Sequence, residues 1–167
     1  AELIATNADA ETALWHHAFS VDLVSTIKAD NRRLDEPIVW RLADARAARL
    51  TLRADLLWLR PLDAARLLEA RRYQVEGEIA IEVVDPAGFT GGRFVVDGGP
   101  DGARCRPTDR SPALRLPVEA LGSLLLGGVS LSLLATARRL DVLDAGVLPA
   151  ADSFLRWPVA PWCTTWF

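Results

Sequence analysis

The sequence predicts an α+β fold, an antiparallel sheet packed with helices and preceded by a strand–helix segment. Three observations carry this. Residues 76–118 hold four runs with the two-residue alternation of half-buried strands, separated by glycine and proline turns. Residues 118–156 then read as three short apolar helices. Strands grouped before helices give an α+β unit rather than a doubly wound one.

The elements follow in order. ELIAT (2–6) reads as a short strand. A helix is predicted from about 8 to 29, with Leu14, Ala18, Val21 and Val24 on one face. Thr6 with Asp9 has capping-box spacing, and Asn7 is a rival cap. Asn31-Arg32-Arg33 ends this helix. IVWRLAD (38–44) fits either a strand or a short helix. RLTLRADLLWLR (49–60) alternates about a turn at Ala54-Asp55, which suggests two short strands. Pro61 opens a helix that carries Asp63 early and Arg71-Arg72 late, as the helix dipole favours. EGEIAIEVVD alternates Ile79, Ile81 and Val83 with Glu78 and Glu82. RFVVDGGPDG, ARCRPT and ALRLPV supply the remaining strands. Helices at about 118–126, 130–139 and 147–156 follow, with a turn at Gly127-Gly128. The sheet and its helices are placed at 58–167. Residues 1–57 form a separate piece, too small to bury a comfortable core alone.

Composition excludes several functions. The net charge is −3 and the chain has no basic block, so nucleic acid is not an expected partner. The apolar run at 120–137 is broken by glycines and serines, so no membrane span is expected. No secretion-signal pattern opens the chain, and Cys105 and Cys163 do not form a disulfide framework, which points to the cytoplasm. There is no methionine, even at position 1, so the chain reads as processed or as a piece of something longer.

The body of the chain offers little chemistry. It contains no dinucleotide fingerprint, phosphate loop or serine elbow. No cysteine or histidine spacing suits a metal. His16 and His17 are adjacent on a helix and diverge by about 100°. Glu78 and Glu82 share a strand face and could form an acid/base pair, but a solvated sheet face is the plainer reading. Tyr73 reads as a packing residue at a helix end.

The tail is different. RWPVAPWCTTWF places Trp157, Trp162, Trp166 and Phe167 where termini are usually polar and frayed. Such aromatic residues should be tied down. A terminal carboxylate held among them could be structural, catalytic or substrate-binding.

LGSLLLGGVSLSLLATARRLDVL (121–143) and FLRWPVAPWCTTWF (154–167) resemble the C-terminal domain of Eis-type (enhanced intracellular survival) acetyltransferases of the GNAT superfamily. SVDLVSTIKADNRRLDEPIVWRLADARAARL (20–50) is similar to the end of that family's second GNAT-like domain. The resemblance implies that 1–57 is the end of that domain and 58–167 a sterol-carrier-protein-like domain. It implies an acetyl-CoA-dependent N-acetyltransferase acting on amines, of the aminoglycoside or protein-lysine type. On this reading acetyl-CoA binds to an N-terminal domain absent from the chain, so the chain alone is inactive. The family's catalytic tyrosine is also absent, and Tyr73 does not match it.

The resemblance makes the Phe167 α-carboxylate the catalytic base, with Trp166 and Trp162 lining the acceptor pocket. A terminal carboxylate has an ordinary pKa of about 3.3–3.7, and burial among aromatic rings would raise it. The partners implied are the amine substrate, the protein's own GNAT domains and further copies in a homo-oligomer. The alternative is a module that holds a lipid or sterol in an apolar cavity of about 300 Å³ or more.

Overall fold

A computed structural model of the chain describes residues 2–55 and 57–163. These residues divide into two compact units. One holds residues 2–49, rejoined by Trp162 and Cys163, and the other is Leu50–Pro161.

The first unit is built of short helices. Helix α1 (Ala8–Ser20) starts at Asn7, whose side-chain oxygen accepts from the Ala10 N–H at 2.8 Å. The strand expected at 2–6 is absent, and residues 2–5 carry no regular structure. The helix also stops well short of residue 29. Past Ser20 the chain is rich in β-branched and capping-type residues, which compete with helix formation. The Ser20 hydroxyl donates to the His17 carbonyl, and Asp22 accepts from the Leu23 N–H, where Leu23 turns to φ +61°. The buried stripe differs from the expected one. Trp15 is buried and stacks on Phe19 at 5.7 Å, while Leu14 is exposed. Helix α2 (Ile38–Arg41) and a 3₁₀ turn (Ala45–Ala47) settle the ambiguity at 38–44 in favour of a helix.

The second unit opens on residues 50–60, where the described residues form neither expected strand. The alternation was genuine, but no neighbouring strand pairs with it. Leu50, Leu52 and Trp58 are exposed as a result. Helix α3 (Ala64–Ala70) starts three residues after Pro61, capped by Asp63, which accepts from the Arg66 N–H at 2.9 Å. The sheet contains β1 (Gly77–Val84), β2 (Gly92–Gly99), β3 (Gly102–Pro107), β4 (Leu114–Pro117) and β5 (Asp141–Val142), in the order β3-β2-β1-β4-β5. All neighbours are antiparallel except β1 and β4, which run parallel, so the sheet is mixed. The chain crosses back from β3 to lay β4 beside β1. Helices α4 (Val118–Leu125), α5 (Leu131–Thr136) and α6 (Leu148–Leu155) follow.

One face of the sheet makes the core. Ile79, Ile81, Val83, Phe94, Val96, Leu114 and Leu116 join a cluster with Leu68, Val118, Leu121, Leu124, Leu131 and Phe154 from the helices. The opposite face carries charge. Glu82 lies in register between Arg93 and Arg115, with Arg115 Nε donating at 2.7 Å. That bond, more than the flanking charges, holds the Glu82 carboxyl below its ordinary range. Glu78 pairs with Arg110 at 2.5 Å. These carboxylates are engaged on a solvated face, so they do not form an acid/base pair.

The unit is tied together by polar contacts. Asp152 of α6 accepts from the Leu131 N–H and the Ser132 hydroxyl, both at 2.7 Å, and so holds the start of α5. Thr90, from the β1–β2 turn, accepts from the Ala64 N–H at the start of α3. That turn is organised by Asp85, whose carboxylate accepts from the N–H groups of Ala87, Phe89 and Thr90 and from Arg60. Burial pushes the Asp85 carboxyl up, but these donors outweigh it and the net direction is down. A group depressed in the folded state stabilises above its unfolded pKa, and that stability is lost as pH falls through the folded value. The urea midpoint should therefore drop as the pH falls below about 3.9, the ordinary aspartate value. Asp85→Asn should flatten part of that drop, and an identical pH profile in this variant would sink the assignment.

Tyr73 is fully buried, with its ring stacked on Phe154 at 4.1 Å and 7° and its hydroxyl donating to the Leu68 carbonyl at 2.8 Å. Burial raises its pKa, so it stays a packing phenol. A side chain on Gly77 would come within 2.8 Å of the Phe154 ring, so the strand lies flat on that ring. Phe154→Ala should cost about 3–5 kcal/mol of stability. It should appear as a lower urea midpoint with the slope unchanged.

Candidate functional site: the anchored tail

The tail begins where α6 ends. The Arg156 N–H bonds back to the Asp152 carbonyl, and the Trp157 N–H donates to the Gly127 carbonyl at 3.0 Å. Gly127 has φ +73°, and a Cβ there would lie 2.6 Å from both the Trp157 N and Cβ. Glycine is required on both counts. The Gly127-Gly128 turn expected from sequence is thus also the point from which the tail departs.

The tail returns to the first unit at Trp162. The indole N–H donates to the Asn31 carbonyl at 2.9 Å, and the Arg32 guanidinium carbon stands 6.0 Å from the Trp162 ring centroid. Asn31 adopts φ +51°, a region that asparagine tolerates better than most residues.

Arg32 is the hub of this unit. Its Nε donates to Glu36 at 2.6 Å, its Nη2 to Glu11 at 2.5 Å and its Nη1 to the Leu3 carbonyl. The guanidinium also stands over the Trp15 ring at 5.7 Å. Arg41 approaches the other Glu11 oxygen at 3.3 Å. The Arg32, Glu11 and Glu36 side chains are only 12–14% exposed, so this is a shielded network. Removing one partner from such a pair costs about 3–5 kcal/mol, because the other charge is left buried.

Of the expected site residues, the structure brings Trp162 into this network. Its side chain is about one-third exposed. Trp166 and Phe167 lie outside the described residues. His16 and His17 are exposed on α1, and the described residues contain no cluster able to hold a metal. Cys105 is half-buried, and burial first, then Glu69 and Asp63, pushes its thiol up to about 11. It is therefore a poor nucleophile at neutral pH. No described helix is long and apolar enough to cross a membrane.

Arg32 was not read from sequence as a site residue, since Asn31-Arg32-Arg33 stood only as a helix terminator. The available signal was the spacing of Glu11 and Trp15, one turn apart on α1, which offers a carboxylate and a ring to one cation. The interior of the second unit leaves a void of about 10 Å³ among Leu68, Ile79, Ile81, Leu116, Leu121 and Leu124. That is far below the volume needed for a lipid, so none fits among these side chains.

Two family models match. The sterol carrier protein domain matches residues 64–164, and the acetyltransferase (GNAT) domain matches residues 1–67. The second match corrects the expectation that the acetyl-CoA-binding type of domain is absent from the chain. Residues 1–67 contain no glycine, so they do not provide a glycine-rich phosphate turn. An uncharacterized N-acetyltransferase of Streptomyces griseus is 44% identical over 162 residues, covering 97% of this chain and 39% of that protein. N-acetyltransferase Eis of Mycobacterium tuberculosis is 40% identical over 155 residues, covering 91% of this chain and 37% of its own length. The crystal structure of Eis1 from Mycobacterium abscessus matches with a TM-score of 0.88 at 31% identity, covering 99% of this chain and 42% of that one. The chain thus spans about two fifths of the length of the curated relatives it matches.

Gly127→Ala should disturb the departure of the tail. The expected result is a several-fold faster tryptic cut after Arg156, followed by mass spectrometry, with the far-ultraviolet circular dichroism preserved. With GNAT sequence in its first part and a sterol-carrier-protein-like α+β unit in its second, the chain belongs to the sterol carrier protein domain family and is a homologue of the Eis-type acetyltransferases of the GNAT superfamily.

Proposed function

We propose that this chain is the C-terminal region of an acetyl-CoA-dependent N-acetyltransferase that acts on amines, of the aminoglycoside or protein-lysine type. Residues 1–57 are the end of a GNAT-like domain, and 58–167 are the sterol-carrier-protein-like domain. The Phe167 α-carboxylate is the catalytic base, and Trp162 and Trp166 line the acceptor pocket. The whole protein works in the cytoplasm as a homo-oligomer. Exposed apolar side chains such as Leu50, Leu52 and Trp58 supply a surface for its own GNAT domains or further copies.

The observation that carries this reading is the anchoring of Trp162, which gives the residues after it a fixed point of departure. An amine must lose a proton before or as it attacks a thioester, and a positioned carboxylate can accept that proton directly or through one water. Holding the base in place is worth more than its intrinsic strength, because orientation removes an entropic cost from the transition state. The lipid-carrier reading has no comparable support, given the filled core.

The test uses the whole protein at the length of its curated relatives. Deleting Phe167 should lower kcat by about 10²-fold or more with a polyamine acceptor and a thiol readout, while acetyl-CoA binding by calorimetry survives. Unchanged turnover would show that the aromatic ending only packs.

A further inference from the structure

We infer that Arg32 is the positioning residue of the C-terminal tail, a clamp whose guanidinium face receives Trp162. The catalytic consequence rests on the function proposed above, whereas the anchoring does not.

The argument starts from the geometry of a guanidinium. Its N–H donors lie in its plane, and its faces can stack on aromatic rings. Each of the three nitrogens of Arg32 donates, to Glu36, Glu11 and the Leu3 carbonyl. With every nitrogen engaged, the central carbon stands over the rings of both Trp15, at 5.7 Å, and Trp162, at 6.0 Å. Trp15 is buried and stacked on Phe19, so the platform is fixed on α1. Trp162 adds its indole N–H bond to Asn31, the residue just before the arginine. Two independent contacts to consecutive residues therefore set both the position and the rotation of the indole. Three segments (the N-terminal stretch at Leu3, helix α1 and the loop at Glu36) are needed to aim one side chain at the tail. A surface arginine does not need that support.

The arrangement predicts that lysine cannot substitute. An ammonium would keep the charge opposite Glu11 and Glu36 but would lose the fork and the flat face.

The experiment is done in the full-length protein labelled with 5-fluorotryptophan, with the Trp162 resonance assigned by Trp162→Phe. Arg32→Lys should shift that resonance towards the solvent-exposed position. It should also raise the rate at which carboxypeptidase releases the terminal residues by about 10-fold, as local opening of the tail becomes easier. Trp162→Leu removes the clamp from the tail side and leaves the arginine network intact, so it should give the same release rate in a fully folded protein. If both variants release residues at the wild-type rate, the clamp is wrong. A matching fall in kcat, with KM for acetyl-CoA unchanged, supports both the clamp and the catalytic tail. A freed tail with wild-type kcat supports the clamp and overturns the role given to Phe167.

Discussion

The second unit depends on one half-buried cation. The Arg71 guanidinium donates to the Leu155 carbonyl at 3.0 Å and to the Leu124 carbonyl at 3.4 Å, at the C-terminal ends of α6 and α4. Both helices are eight residues long, and helices this short rely on tertiary contacts and on their caps. A cation is favourable at each C-terminus because it meets the negative end of the helix dipole and satisfies an orphan carbonyl. Arg71 does this for two helices at once and stands 4.5 Å over the centroid of Tyr73, which stacks on Phe154 of α6. Burial lowers the Arg71 pKa, yet its ordinary value is so high that it stays charged. The point at which α6 stops, and so the point at which the tail starts, is therefore fixed from below by a side chain that follows α3.

Arg71 and Arg32 solve related problems at two points along the tail. At its origin, a guanidinium caps α4 and α6, while Gly127 receives the first tail N–H. At Trp162, a second guanidinium takes an indole ring. In each case the charge is held off solvent by carbonyls or carboxylates and presents a face to an aromatic ring. Arginine suits this use because it is weakly hydrated for a cation and is planar. The cost of burying charge is offset only when its donors are satisfied, which is why each arginine also bonds to backbone carbonyls.

How much of this was legible in the sequence follows from the range of each interaction. The runs at Ile79–Val83 and Leu114–Leu116 announce strands because alternation is local, and Gly127 announces a turn because its backbone freedom is local. The parallel pairing of β1 with β4 was not legible, since the same alternation serves either direction. Strand β5 has two residues and therefore no period at all. The segment 49–60 shows the converse error. Its alternation is that of a strand, but an isolated extended run has no partner for its N–H groups and forms no ladder. In the tail, the aromatic residues were visible and their anchors were not. Arg32 and Asn31 lie 130 and 131 positions before Trp162, and no local pattern encodes a contact at that separation.

The aromatic tail follows from the same physics. A polar tail could bond to surface carbonyls, but water would compete for every bond and the segment would fray. An indole brings a large rigid area, a single N–H and few rotatable bonds, so immobilising it costs little entropy. Placed over a guanidinium each of whose nitrogens already donates elsewhere, it also gains an attraction that weakens if the cation is replaced by a hydrated point charge. Trp162 is thus matched to Arg32 as an aromatic ring to a flat cation, while its N–H goes to the Asn31 carbonyl. Ordering the tail by this contact fixes where the chain is held while the indole stays partly open to solvent. A ring anchored through its N–H and a neighbouring cation is thus held in place without being sealed from solvent.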